Sequence, residues 1–151
     1  MGQQNILASD RAAVVGALNP GSIAAGTTPT GWVAAADWGR FLGVIQSGTL
    51  GASATIDAKL QQAQDSAGTG AKDITGKAIT QMTTGATDSN KQSEINLHRD
   101  ELDLANNFTH VRLSVTVGVA ASGMSAVLLG FDPRYNAASD NDAATVKEVI
   151  A

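Results

Sequence analysis

Cysteine is absent from this chain, which excludes disulfides and thiolate metal sites and leaves the redox compartment unmarked. Aromatic residues make up only 4% of it, so the core has to be assembled from Ala, Val, Ile and Leu. Small side chains bury little area each, and at about 25 cal/mol per Å² a lone domain of this kind is only modestly stable and gains from neighbours. Charge is sparse as well, at 16% of residues, with a net of −4. The ten basic residues are scattered singly, whereas phosphate contacts need clustered Lys and Arg, so no nucleic-acid partner is expected. No apolar run approaches the ~20 residues of a membrane span, and no membrane partner is expected. Met1-Gly-Gln-Gln-Asn5 lacks the basic start and apolar run of a signal peptide. A soluble product made in a cytoplasm is the expectation.

What is present points to one domain of strands. The 151 residues suffice to bury roughly 70% of their unfolded surface. Sixteen glycines and an excess of Ala, Thr and Ser suit turns and short strands. The strongest local signal is His110 to Val119, where Val111, Leu113, Val115, Val117 and Val119 alternate with Arg112, Ser114 and Thr116. Strict period two in β-branched residues reads as a long strand with one apolar face and one wet face. The dry face needs a second sheet, and the expected fold is an all-β antiparallel sandwich, jelly-roll-like.

In chain order, residues 1–31 read as an extended N-terminal arm in which Asp10 to Leu18, with Val14, Val15 and Leu18 apolar, suits a short helical turn or an edge strand equally. The arm is broken by the turn Asn19-Pro20-Gly21 and rich in Gly and Thr after it. The sandwich is expected over 32–131. Arg40 to Ser47 is apolar on both faces and reads as a central strand covered twice. Ala54 to Gln62 places Ile56, Ala58 and Leu60 inward and Asp57, Lys59 and Gln61 outward. Ile74 to Met82 is a weaker strand with a bulge at Gly76, and Ser93 to Leu97 a short one. A turn at Ala120 to Gly123 then predicts Ser125 to Phe131 as the hairpin partner of the anchor strand. Strands spaced about ten residues apart are the signature of such sandwiches. Residues 132–151 form a C-terminal tail, with a short helix over Asp142 to Ile150.

Motifs for chemistry are weak. Gly68-Thr-Gly-Ala-Lys72 lacks the glycine spacing and the following Ser or Thr of a phosphate loop and reads as a surface turn. His98, Asp100, Glu101, Asp103 and His110 lack metal-ligand spacing, and Asp140-Asn-Asp142 falls short of a calcium loop. No Ser–His–acid or paired-carboxylate arrangement stands out. Asn107-Phe-Thr109 matches a glycosylation sequon, with no secretion signal to give it meaning. No catalytic residue, metal or cofactor is expected, and the chain does not read as an enzyme. Trp32, Trp38 and Tyr135 are expected at the rim of the core, as plugs or as anchors for a partner or sugar.

Several stretches carry a resemblance: Asp10-Arg-Ala-Ala-Val-Val15, the Gly/Thr-rich arm ending near Trp32, Ala54 to Ala63, Lys72 to Gln81, His110 to Val117, and Gly130-Phe-Asp-Pro-Arg-Tyr135. Together they resemble small virion proteins encoded near the major capsid gene in tailed bacteriophages and related gene-transfer particles. The chain departs from that pattern at Gln64-Asp-Ser-Ala-Gly68, where relatives carry an Asp-Gly loop. The resemblance implies a jelly-roll decoration or cement protein on the outer surface of the virion head, binding the major capsid protein. Other members serve as bases for head spikes or fibres, and a glycan-binding module using Trp32, Trp38 or the 63–72 loop is the alternative. A cement protein bridges capsomers through many weak contacts made together. Its bridging residues here would be Ile6, Leu7, Val14, Val15 and Leu18 on the arm, Trp32 and Tyr135 beside the body, and Val146, Val149 and Ile150 on the tail. Self-association as a trimer is the favoured arrangement, since closed symmetry matches capsid symmetry.

Overall fold

The computed structural model describes residues 6–150, and over these the chain is all-β, with short 3-10 turns and no α-helix. Its strands are β1 (Ala12–Ile23), β2 (Gly26–Pro29), β3 (Val33–Ala34), β4 (Arg40–Ser47), β5 (Thr55–Ala63), β6 (Lys72–Ala78), β7 (Met82–Thr83), β8 (Gln92–His98), β9 (His110–Gly118) and β10 (Ser122–Phe131). One sheet runs β1-β10-β4-β8 and the other β2-β9-β5-β6, with β3 and β7 as short additions on β9 and β5. All pairings are antiparallel. The eight long strands in this order form a jelly roll, the double-sheet arrangement built from two Greek keys.

The period-two segments explain the interior. On β9 the side chains of Val111, Leu113, Val115 and Val117 are fully enclosed, as are Ile56, Ala58 and Leu60 on β5. They meet Phe41 and Ile45 of β4, Ile95 and Leu97 of β8 and Leu128 of β10 in one apolar cluster. Full burial of each Val, Leu, Ile or Phe contributes about 1.5–3 kcal/mol, so this aliphatic layer is the main source of stability. The few aromatics are not marginal to it: Trp38 and Phe41 are the largest buried side chains. Trp38 packs flat on the backbone of Gly130, where an added Cβ would stand 2.5 Å from ring atom Cδ2. Glycine at 130 is therefore a packing requirement.

Several expectations change. The arm expected over 1–31 is mostly body: β1 pairs with β10 over its whole length and β2 pairs with β9, while residues 1–5 lie outside the described residues. Of the two readings of Asp10 to Leu18 the edge strand holds; irregularities at Val14/Gly16 and Leu18/Gly21 break its alternation. β10 is not the hairpin partner of β9. The two lie in opposite sheets because β9 already has β2 and β5 on its two edges, and residues 119–121 carry the chain across the gap. Val119, expected inward, is 72% exposed and holds a left-handed φ of +68°. Ser114, expected on the wet face, is buried between Pro29 and Lys59. β4 is central, between β10 and β8, but covered by a second layer on one side only; Leu42 and Val44 sit half-buried on the open face. The 142–150 segment forms no helix; a 3-10 turn at Ala138–Asn141 precedes it.

That tail has a structural role. Ala138 is fully buried, Asp142 Oδ1 accepts the Val14 N–H at 2.8 Å, and the Ala143 N–H donates to the Val14 carbonyl at 2.7 Å. The open edge of β1 is thereby blocked where its bulge frees backbone groups, a common protection against stray strand pairing. At Gly76, φ is +76° within the long register shift between β5 and β6, so the expected bulge is present.

Candidate interaction surfaces

The strand order sorts the loops into two ends with different chemistry. One end gathers residues 30–39, 64–71 and 99–109, the N-terminal segment 6–11 and the stretch 132–142. These segments hold nine acidic residues and three arginines, and we call this the charged end. The other end gathers 24–25, 48–54, 84–91 and 119–121. Its only charges are Asp88 and Lys91, which pair with each other at 3.3 Å. This is the neutral end.

At the charged end, side chains are held by exposed ion pairs and by cations on rings. Lys72 Nζ lies 2.6 Å from Asp103 and 4.0 Å above the Phe108 ring. Lys77 donates to Glu101 at 2.8 Å, and Arg40 to Asp132 at 2.6 Å. The hydrogen bond from Lys77 holds the Glu101 carboxyl below its ordinary value, and Lys72 does the same for Asp103. Asp65 accepts the N–H groups of Ala67 and Thr69, and its pKa is lowered chiefly by the Thr69 side chain. The loop considered as a phosphate cradle is thus an Asp-stapled turn. The histidines and acids once grouped as a metal set are engaged separately: His98 faces Asp100 at 3.4 Å, while His110 Nδ1 is 3.0 Å from Thr109 Oγ1. Among the described residues no three such groups converge.

The neutral end is tied by hydroxyls. Ser122, 1% exposed, accepts the Gly51 N–H at 3.1 Å and donates to the Ala120 carbonyl at 3.2 Å. Thr84 donates to the Gly51 carbonyl at 2.7 Å, and Ser89 accepts the Leu50 N–H at 3.2 Å. Buried Ser47 reaches the carbonyls of Asp88 and Lys91. Three loops are so joined through buried polar atoms. Four of the six non-glycine residues with positive φ lie here: Ser53, Thr87, Asn90 and Val119. For β-branched Thr87 and Val119 that conformation is a real cost.

A groove of about 410 Å³ borders this end on the open face of the β1-β10-β4-β8 sheet, lined by Pro20, Gln46, Asn90, Gln92, Met124 and Ser125 among others. Further along the same face, Val14, Leu42, Val44, Val127 and Leu129 stand in adjacent rows and are half-buried. The doubly apolar reading of β4 was the sequence signal for this stripe; its placement needed the register.

The residues expected to bridge are scattered by the fold. Ile6 and Leu7 are each 43% exposed, Tyr135 78%, Val149 48% and Ile150 83%. Val146 is half-buried, and so are Val14 and Val15 in β1. Leu18 belongs to the core cluster. Trp32 carries the Arg112 guanidinium 4.4 Å above its ring, and Arg112 in turn donates to Gln61 at 2.9 Å. Trp38 is buried. Of the three aromatics weighed as sugar platforms, Tyr135 is exposed, Trp32 half-buried and Trp38 buried.

No protein-family model matches the chain, and no curated protein matches it significantly. Among solved structures, a chain from infectious bursal disease virus, Gt strain, aligns at 12% identity and TM-score 0.45 over 85% of this chain and 33% of its own length. The Gx strain of the same virus aligns at 10% and 0.43, over 91% and 37%. Cowpea mosaic virus empty virus-like particle aligns at 12% and 0.42, covering 90% of this chain and 87% of that one. This chain therefore spans about a third of the bursal disease virus chains it matches. None of these superpositions reaches a TM-score of 0.5, and the fold is read from the chain's own strand order. No helix among the described residues is long and apolar enough to cross a membrane.

Proposed function

We propose that this chain is a structural protein of a virus particle, a decoration or cement protein on the head of a tailed phage that stabilises capsomer junctions. The observation that carries the reading is where the resembling stretches fall. Ala54 to Ala63 is β5 with its lead-in residue, Lys72 to Gln81 contains β6, His110 to Val117 is β9, and Gly130 to Tyr135 closes β10. The resemblance thus runs through strands of both sheets that build the jelly roll, a fold used by viral capsid domains among others. Its partners on this reading are the major capsid protein and further copies of itself. Each contact is weak alone and gains from multiplicity.

Imaging of intact particles tests it. Density for this domain on the outer head surface at capsomer junctions is expected; its absence there sinks the proposal. A truncation test must spare β1, since removing residues through Leu18 would take out the strand paired with β10. Removing residues 1–7 together with 147–151 leaves every strand of the described residues intact and is expected to lower occupancy on particles. Undiminished occupancy would free the termini from a bridging role.

A spike base or glycan-binding module remains the second reading, favoured by one observation. The side-chain amides of Gln46, Asn90 and Gln92 line the open groove beside Ser125, and amides both donate to and accept from sugar hydroxyls. Saturable binding on a glycan array, lost in Gln92→Ala, would establish it.

A further inference from the structure

We propose that copies of this chain associate with one another through the neutral end, with Val119 at the centre of the contact and the acidic ends pointing away. This deepens the decoration reading by naming the surface that joins copies, yet its test needs no particle, so the two can fail separately.

Charge distribution selects the occupant. Nine acidic residues gather in the loops and terminal segments of the charged end with Arg11, Arg99 and Arg134. Lys72, Lys77 and Arg40 from the adjoining strands pair with three of the acids, which still leaves an acidic excess; the neutral end has only its internally paired Asp88 and Lys91. Two copies meeting through their neutral ends bring no unpaired charge together. The nine strand residues of β9, at roughly 3.3 Å each, then separate each acidic end from the contact by about 30 Å, several Debye lengths at ordinary salt. Any arrangement that puts charged ends together presses acidic excess on acidic excess.

The loops also have the build of an interface centre. Such centres are depleted in charge and gain when their groups are ordered in advance. Here Ser122, Thr84, Ser89 and Ser47 fix the three loops through part-buried hydrogen bonds before any partner arrives. Ala52, Ala86 and Ala121 leave the surface low and exposed, and Val119 projects from it with 72% of its surface in solvent. An exposed β-branched residue in a left-handed conformation gains nothing for the isolated fold, and strain of that kind concentrates at functional contacts. The apolar stripe of Val44 and Val127 is the competing surface, but Glu94 and Asn96 of β8 flank it, and nothing about it is strained.

Sedimentation velocity of the full chain from about 1 to about 100 µM, a range that spans weak homomeric affinities, decides the matter. Wild type is expected to associate with concentration, and to do so nearly equally at low and high salt. Val119→Asp and Ala86→Asp should each weaken association ~10-fold or more, while Tyr135→Asp and Val44→Lys leave it unchanged. Val119→Asn keeps a residue that tolerates the left-handed backbone and removes the apolar side chain, so weakened association with an unaltered circular dichroism spectrum supports contact rather than misfolding. A wild type that stays monomeric throughout overturns the proposal. So does association that survives Val119→Asp, or that Tyr135→Asp or Val44→Lys abolishes.

Discussion

At the charged end of the sandwich, loops are held by ion pairs with one or both partners in water, as in Arg40–Asp132 and Lys72–Asp103. At the neutral end they are held by buried hydroxyls bonded to backbone, as in Ser122 with Gly51 and Ala120. The two devices differ in worth. An exposed pair contributes about 0–1 kcal/mol and weakens with salt, whereas leaving a buried backbone group unpaired costs about 1–3 kcal/mol. What stiffens the charged end is its aromatic plug, Trp38 on Gly130, beneath the loops. The contrast teaches that the many charges here hold loops less firmly than buried hydroxyls and the aromatic plug do.

Trp38→Ala is the strongest test of that contrast. It should destabilise the fold by about 3–5 kcal/mol in chemical denaturation; a loss under about 1 kcal/mol would show that the charged end does not depend on its plug. Next, Ser122→Ala leaves the Gly51 N–H without its partner and should cost about 1–3 kcal/mol. Charge-neutral Lys72→Gln at the opposite end should stay within about 1 kcal/mol, and equal losses would erase the distinction. Asp142→Ala removes the acceptor of the Val14 N–H and should cost about 1 kcal/mol, read most directly as faster hydrogen exchange at that amide. Val119→Gly relieves a left-handed β-branched residue and should raise stability by about 1 kcal/mol; a decrease would mean that Val119 packs within its own copy.

The smallest effect is the response to acid. Asp65, Asp73, Glu101 and Asp103 all have lowered pKa values, through hydrogen bonds from Thr69, Lys59, Lys77 and Lys72 respectively. A carboxylate lowered in the folded state contributes stability above its ordinary value, 3.8 for Asp and 4.5 for Glu, and loses it as pH falls through the lower folded value. Asp88 at the neutral end is lowered chiefly by the Thr83 N–H. Acidification below about pH 4 should therefore speed hydrogen exchange in residues 64–71 and 99–106 before 48–54 and 119–121. The reverse order would contradict the assignment of most ion pairs to the charged end.

How much of this was legible varies by residue. Val111 through Val117 and Ile56 through Leu60 gave their faces away by period two. The doubly apolar Arg40 to Ser47 revealed a central strand, though not that its open face lacks a covering layer. β1 was legible only as one of two readings, edge strand or helical turn, and not in its full length, because its two irregularities break alternation and Pro20 reads as a stop. The β9–β10 error has a different source. Every link between long strands except β5 to β6 crosses from one sheet to the other, so a short turn between strong strands no longer means a hairpin. The residues expected to bridge differ in exposure, and Leu18, which joins the core, looks alike in sequence to residues that remain on the surface.

By itself the amino-acid order determined that the chain is all-β and aliphatic at heart, because those properties follow from local alternation and composition. Tertiary structure alone decided that loops far apart in sequence collect into one acidic and one neutral end, that the tail closes the edge of β1, and that Val119 turns outward. These depend on strand order, which is fixed by the burial of two facing sheets at once and has no local signature in the chain.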